Sequence, residues 1–422
     1  MKKFTIAALA ICLAFAMAAP VMAVDANFSG AYRVRGSYVS AWDLTDKSES
    51  NAFMDMRLRL QTDLIVSDIL SVTMRFDALD GTTFGQTQTA GDDIDFDRAY
   101  MTIKAPIGTF TIGRQLGGTF GTLFADSESD ADRIVYAKTI NGLTVKAIFE
   151  KVVEADNGIL PADVGDADSD KYLLIAVQKM ENLTAGAMLT YTNDKNTSDV
   201  ATVRKYSLSP YAVGKFGPLS IQGEINYVWG EEDFDAAGTA DIDYKQLNYN
   251  IEATYNLGPA SIMAGYAFAS GEDSDATDDT GAGGVGNDWE KLFILTTNEI
   301  PALYTLGGYG NLSKEGLTKT GGDDLGSKII YGGVSFSPLE NLNIGLIIGN
   351  ATADELAAGE TKDDYGTEYD LTLNWKIYDN LTYTAIAAFL SAGDLYNEQV
   401  PAITDANFDD TYALFHQLQL SF

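Results

Sequence analysis

Cysteine occurs once in the 422 residues, at Cys12, so the chain can close no disulfide within itself. Long apolar runs are as scarce. One leads from Phe4 to Pro20, and beyond it no stretch of about 18 apolar residues remains to cross a membrane as a helix. Basic residues number 28 against 60 acidic ones, which argues against nucleic acid as a partner, because binding a phosphate backbone rests on clustered Lys and Arg. Proline is rare, at nine, and four of these (Pro106, Pro218, Pro259, Pro338) fall in short connections where no ladder N–H is needed.

Lys2 and Lys3, the apolar run and Val21-Met22-Ala23 together form a secretory signal peptide, residues 1–23, with a small-residue cleavage site after Ala23. Cys12 lies in its apolar core, and Ile11 before it is too large for a lipoprotein cleavage site. Loss of Lys2 and Lys3 leaves 26 basic against 60 acidic residues, a formal charge of −34. Hydrophobic residues, at 46%, are spread in short alternating segments instead of helical stripes. With 22 Tyr, 20 Phe and 40 Gly, the composition points to an all-β chain of many short strands.

The alternation is explicit from the start. A strand from Phe28 to Trp42 puts Tyr32, Val34, Gly36 and Tyr38 on one face, with Arg33 and Arg35 on the other. The next, Phe53 to Val66, sends Met54, Met56, Leu58, Leu60 and Leu64 outward and Asp55, Arg57, Arg59, Gln61 and Asp63 inward. An apolar exterior around a wet, charged interior is the signature of a transmembrane barrel. Tyr369 to Ile377 is the clearest strand. Thr411 to Phe422 repeats the pattern, with Tyr412, Leu414, His416, Leu418, Leu420 and Phe422 on one face, and a barrel requires it to pair with the first strand because no free edge survives in lipid.

Eight short turns recur, at Ser67-Asp68, Pro106, Asn141-Gly142, Glu181-Asn182, Gly217-Pro218, Gly258-Pro259, Pro338 and Asp379-Asn380. Nine long polar connections alternate with them: 43–51, 80–93, 117–131, 151–170, 192–204, 231–243, 270–325, 351–365 and 392–410. The expectation is therefore one antiparallel transmembrane β-barrel over residues 24–422, with 18 strands, short periplasmic turns and long extracellular loops. Sixteen strands remain the alternative if weak segments, such as the one holding Pro210, are misread; Pro210 itself suggests a bulge. The long extracellular loop 270–325 holds apolar blocks at Trp289 to Thr297 and Ala302 to Tyr309 that could be two further strands, an apolar loop tucked over the mouth or a surface hairpin. The link Asn298-Glu299-Ile300-Pro301 lacks outward alternation, which favours the loop.

RAYMTIKAPIGTFTIGRQ, from Arg98 to Gln115, resembles the Gram-negative general porins in its aromatic strand, short turn, Phe-Gly-Thr-like restart and Gly-Arg pair entering the third loop. RIVYAKTINGLTVKAIFE, from Arg133, resembles the strand pair that follows in that family. The resemblance covers about residues 24–150. It implies a homotrimer of outer-membrane barrels whose third loop, here 117–131, folds inward and sets acidic side chains against a basic cluster on the wall. Two departures stand against it: 18 strands in place of 16, and a third loop without Pro-Glu-Phe-Gly-Gly.

Of nine arginines, eight precede residue 140, and Arg33, Arg35, Arg57, Arg59, Arg75 and Arg98 share interior parity. They should line one arc of wall, facing Asp126, Glu128, Asp130 and Asp132 of the candidate constriction loop across a narrow neck. The plainer alternative is a row of solvated charges in a wide lumen. Arg114 has outward parity, which suits a subunit interface or the membrane rim, since arginine against lipid at mid-depth costs about 2–4 kcal/mol. His416, the only histidine, is flanked by no outward Ser, Cys or Asp, so no catalytic pair is formed and no enzyme is expected. Asp166, Asp168 and Asp170 imitate a calcium loop without its Gly or closing Glu. Surface calcium or magnesium held with lipopolysaccharide phosphate could sit there or at Asp273 to Asp279, and no other metal or cofactor is expected.

The sequence therefore predicts a passive diffusion channel for small hydrophilic solutes and ions in a Gram-negative outer membrane, with lipid and lipopolysaccharide around it. Tyr412, Leu420 and Phe422 resemble the terminal signal that outer-membrane assembly machinery reads. A substrate-selective channel on the same barrel is the nearest alternative, and a structural or adhesive barrel without conductance the alternative from another class. A plug-domain transporter would need a globular domain before the first strand, and strand sequence begins within a few residues of Ala23.

Overall fold

The computed structural model describes residues 24–85, 94–155, 167–198, 201–234, 241–272, 279–280, 284–300, 303, 306, 312, 325–356, 359–398 and 408–422. The stretch read as a signal peptide, residues 1–23, lies outside the described residues. The strands are β1 (Asp25–Val39), β2 (Asn51–Ser67), β3 (Leu70–Thr83), β4 (Asp95–Ala105), β5 (Gly108–Gly117), β6 (Ser129–Ile140), β7 (Leu143–Val153), β8 (Ser169–Lys179), β9 (Leu183–Ser198) and β10 (Ala201–Phe216). There follow β11 (Leu219–Phe234), β12 (Ile242–Leu257), β13 (Ala260–Ala269), β14 (Asp279–Thr280), β15 (Ser327–Leu339), β16 (Leu342–Thr352), β17 (Asp364–Tyr378), β18 (Leu381–Ala392) and β19 (Thr411–Ser421). Eighteen of them close into an antiparallel barrel, and β14 adds only a two-residue parallel pairing to β12.

Closure runs as the alternation requires. β1 and β19 pair from Ala31 opposite Ser421 to Val39 opposite Ala413, and the Gly30 and Phe422 backbones exchange hydrogen bonds of 2.8 and 3.0 Å. Local chemistry drives the turns: Asn141 and Gly142 both adopt positive φ, the demand of a two-residue hairpin matched to strand twist. Leu371, Trp375, Ile251, Leu414 and Leu418 stand exposed outside, while Asp55, Arg75, Asp77 and Glu252 are buried within.

The structure corrects several sequence expectations. The sixteen-strand alternative is set aside. The connection read at 192–204 belongs almost wholly to β9 and β10, whose strands continue to Ser198 and resume at Ala201. The turn assigned to Pro338 lies two residues later, at Glu340-Asn341. Pro210 makes no bulge. It pairs with Ala187 of β9, and the β10–β11 ladder lapses at Ser209 and Pro210 and resumes in unchanged register, as a residue without an N–H would cause.

The hydrophobic core lies inside the barrel and comes from the long connection between β13 and β15. Its Trp289, Leu292 to Leu295, Ile300, Leu303, Leu306 and Leu312 pack against Val39, Ala267, Ile329, Tyr331, Ala351, Tyr365, Leu390, Ala413 and Phe415, which the strands turn inward. The favoured loop reading thus holds for residues 284–300, with the short helix α1 (Phe293–Thr296) at its centre. Half of the lumen, from β13 round to β1, is therefore filled by an apolar core. Among the described residues, the charged half holds a cavity.

Candidate pore and its charged wall

Two segments bound the charged half. Residues 118–128 leave β5, cross the interior and reach β11, where the Thr122 amide and hydroxyl both donate to Glu224 Oε2 at 2.6 and 2.7 Å. Phe120 meets Tyr211 edge-on. The buried Phe124 meets Trp289 in the same way, and the two segments are joined by bonds from the Gly286 amide to the Phe124 carbonyl (2.7 Å) and from the Asp288 amide to the Asp126 carbonyl (3.1 Å).

The second segment is tied to the opposite wall by an unusual cap. No side chain of its own caps α1. Instead the Phe293 amide donates to Asp370 Oδ2 (2.9 Å), and the Ile294 and Leu295 amides donate to the two oxygens of Glu368 (2.5 and 3.0 Å). Two inward carboxylates of β17 thereby satisfy three of the four amides that a helix N-terminus leaves open.

Six arginines line a cavity of about 530 Å³: Arg33, Arg35, Arg57, Arg59, Arg75 and Arg98, on the inner faces of β1 to β4. Acids of the same strands are interleaved with them. Arg35 holds Asp55 at 2.8 Å, Arg59 holds Asp77 through two bonds of 2.8 and 2.7 Å, and Arg75 holds Asp97 at 2.9 Å. The facing side is supplied by Glu128, Asp130, Asn287, Asp288, Asn298 and Glu299. Arg98 binds Asp130 at 2.8 Å and approaches Glu128 at 3.7 Å, while Arg35 also forms an ion pair with Glu299.

The four acids expected to face the arc divide. Glu128 and Asp130 meet it. Asp132 does not: within β6 it pairs with the outward-facing Arg114 and stands on the outer surface beside it, at 3.5 Å. Asp126 turns away to accept the Phe120 amide at 2.6 Å, and its burial pushes its carboxyl up to about 6. Sequence parity had already put Asp55 inside, but which arginine it would meet depends on register. Glu299 and Asp288 were missed as wall partners, since nothing local marks a loop acid as inward.

The remaining candidates are placed as follows. Arg114 points outward near the loop end of β5. His416 lies outside over Gly36, where a Cβ would strike the imidazole, and its ring is 6.0 Å from that of Tyr383. Asp168 and Asp170 both hold Lys151, at 2.5 and 2.9 Å, so a lysine occupies the place considered for calcium. Asp166 and most of 273–279 lie outside the described residues. No metal-type cluster of His, Cys, Asp and Glu occurs among the described residues.

No curated protein matches the chain. Among solved structures it resembles OccK8 (OprE) of Pseudomonas aeruginosa, with a TM-score of 0.53 and 13% identity over 94% of this chain and 98% of that one. OpdO of the same organism gives 0.52 and 12% over 94% and 97%, and an anion-selective porin from Comamonas acidovorans gives 0.50 and 10% over 94% and 100%. At such identities these likenesses speak for the barrel alone. The family model of the Gram-negative porins, however, matches residues 5–383, nearly the whole chain, and the protein is accordingly a member of that family, a porin barrel of the outer membrane.

Proposed function

We propose that this porin conducts small hydrophilic solutes and ions passively through an eccentric passage. One wall is the arginine arc of β1 to β4, and the other is the polar edge of residues 118–128 and 285–300. The observation that carries this reading is the single cavity in which all six arginines face loop acids and amides. Opposed charges across such a passage set up a transverse field that orients water and dipolar solutes. Residues 118–128 and 284–300 both act as constriction elements, with the long connections extracellular and the short turns periplasmic. Assembly as a homotrimer is supported by the exposed Arg114–Asp132 pair, which offers a polar contact on the outer wall. No residue is assigned to catalysis, a reading supported by the outward placement of His416 over Gly36.

Planar-bilayer recording with sized sugars and reversed salt gradients tests the proposal. Expected are steady ohmic channels with a size cut-off. A barrel that inserts without conductance would overturn it in favour of a structural role.

A further inference from the structure

Arg33 and Arg57 are direct cross-strand partners on β1 and β2, both turned into the cavity. Like charges directly opposite one another destabilise a sheet unless something sits between them. Every other arginine of the arc has a carboxylate within 2.9 Å. These two do not. Arg57 comes no closer than 3.7 Å to Asp77, which is already committed to Arg59, and both Arg57 and Arg33 lie 3.7 Å from Asp80. Arg33 Nε is buried with no hydrogen-bond partner.

Asp80 is also unusual. It is half exposed, and it sits where the β2–β3 register slips between Met56 and Leu58, flanked by Leu79 and Gly81, both of positive φ. A bulge of this kind re-aims a side chain, here towards the guanidinium pair.

We propose that Arg33 and Arg57 form an oxyanion-binding step in the passage, and that Asp80 is a built-in, displaceable stand-in for the ligand. The ligand class is a small solute bearing a carboxylate or phosphate group, whose paired oxygens match two guanidinium forks better than a single distant carboxylate does. A passing solute takes the place of Asp80 between the two arginines and leaves when Asp80 returns, so the site is occupied briefly and does not trap its cargo. This inference rests on the porin reading above.

The test is single-channel recording in about 0.15 M KCl, where a Debye length of about 8 Å leaves such a site unscreened, with succinate or inorganic phosphate added to one side. Liposome swelling with glucose runs in parallel. In the wild type, either oxyanion should reduce the chloride current in a saturable way. Arg33→Gln with Arg57→Gln should abolish that reduction while glucose flux persists, and Arg57→Gln alone should weaken it several-fold. Asp80→Asn removes the competitor and should lower the half-blocking concentration several-fold. Block by succinate alone assigns carboxylates as the ligand, and block by phosphate alone assigns phosphates. Unaltered current with both, equal block in the double variant, or an unchanged Asp80→Asn response would overturn the site while glucose flux leaves the porin reading intact. Absence of both channel and glucose flux in the wild type would overturn the two together.

Discussion

Arg59 and Asp77 face each other in register on β2 and β3 and meet through two parallel hydrogen bonds, while Arg57, two residues earlier on the same face, touches no carboxylate closer than 3.7 Å. The two neighbours should therefore respond differently to truncation. Arg59→Ala strands the buried Asp77 and should cost about 3–5 kcal/mol, as loss of one member of a buried pair does. Arg57→Ala should cost under about 1 kcal/mol yet shift anion over cation selectivity. Heat-modifiable gel mobility reads the first effect and reversal potentials the second; equal losses of stability would refute the distinction.

Much of the barrel was legible beforehand because lipid imposes a period of two on every spanning strand. Tyr369 to Ile377 and the Asn141-Gly142 turn needed no partner to be recognised. Legibility ended where the lipid ends: the sequence from Thr192 to Arg204 is rich in Thr, Asn, Asp and Lys without apolar alternation and reads as a loop. The constriction was half legible. Inward parity announced the arginines, but the segment at 284–300 owes its place to Glu368 and Asp370, far along the chain, and an apolar run without alternation does not say which side of the wall it will choose.

Glu368→Ala removes both acceptors from the Ile294 and Leu295 amides. Each buried amide left without its acceptor costs about 1–3 kcal/mol, so the segment should work loose. Lys291 lies beside it, its Nζ 2.7 Å from Glu252. Trypsin added to folded protein should cut after Lys291 in the variant and spare the wild type, with Glu368→Gln intermediate.

Glu299 ties the same segment to Arg35 across the passage. Glu299→Gln weakens that tie without changing its bulk, and an increase in single-channel conductance is expected. An unchanged conductance would mean that the segment stays in place without the pair.

Asp126 supplies a pH dependence. Burial raises its carboxyl to about 6 against the opposing bond from the Phe120 amide, and the charges of Asp288 and Glu128 add to the rise; burial raises Asp288 as well. Because this value lies above that of an unfolded aspartate, about 3.9, the packed loops hold a proton that a loosened segment has released. Their packing is therefore firmest below about pH 4 and weakens as pH climbs through about 6. Hydrogen exchange in 118–128, corrected for intrinsic rate, should be slower at pH 5 than at pH 7.5, and Asp126→Asn should reduce the difference.

Phe422 exchanges two backbone hydrogen bonds with Gly30 and lays its ring against the same residue. Its deletion should lower the yield of inserted barrels while the conductance of those that form is unaltered. Full insertion would show that neither the bonds nor a terminal signal is required.

The apolar mass inside the lumen also bears on how the barrel comes apart. Val39 on β1 and Ala413 and Phe415 on β19 belong to it, Phe293 packs on Phe415 at 5.5 Å, and Glu299 grips Arg35, so one loop straddles the seam between the first and last strands. A barrel unzips most simply at that seam. Here the ladder is clasped from within, and parting β1 from β19 also breaks the loop's contacts with one of them. Contacts of this kind act mainly on how fast the seam opens, so the clasp should lengthen the lifetime of the folded protein, a matter of rate more than of equilibrium.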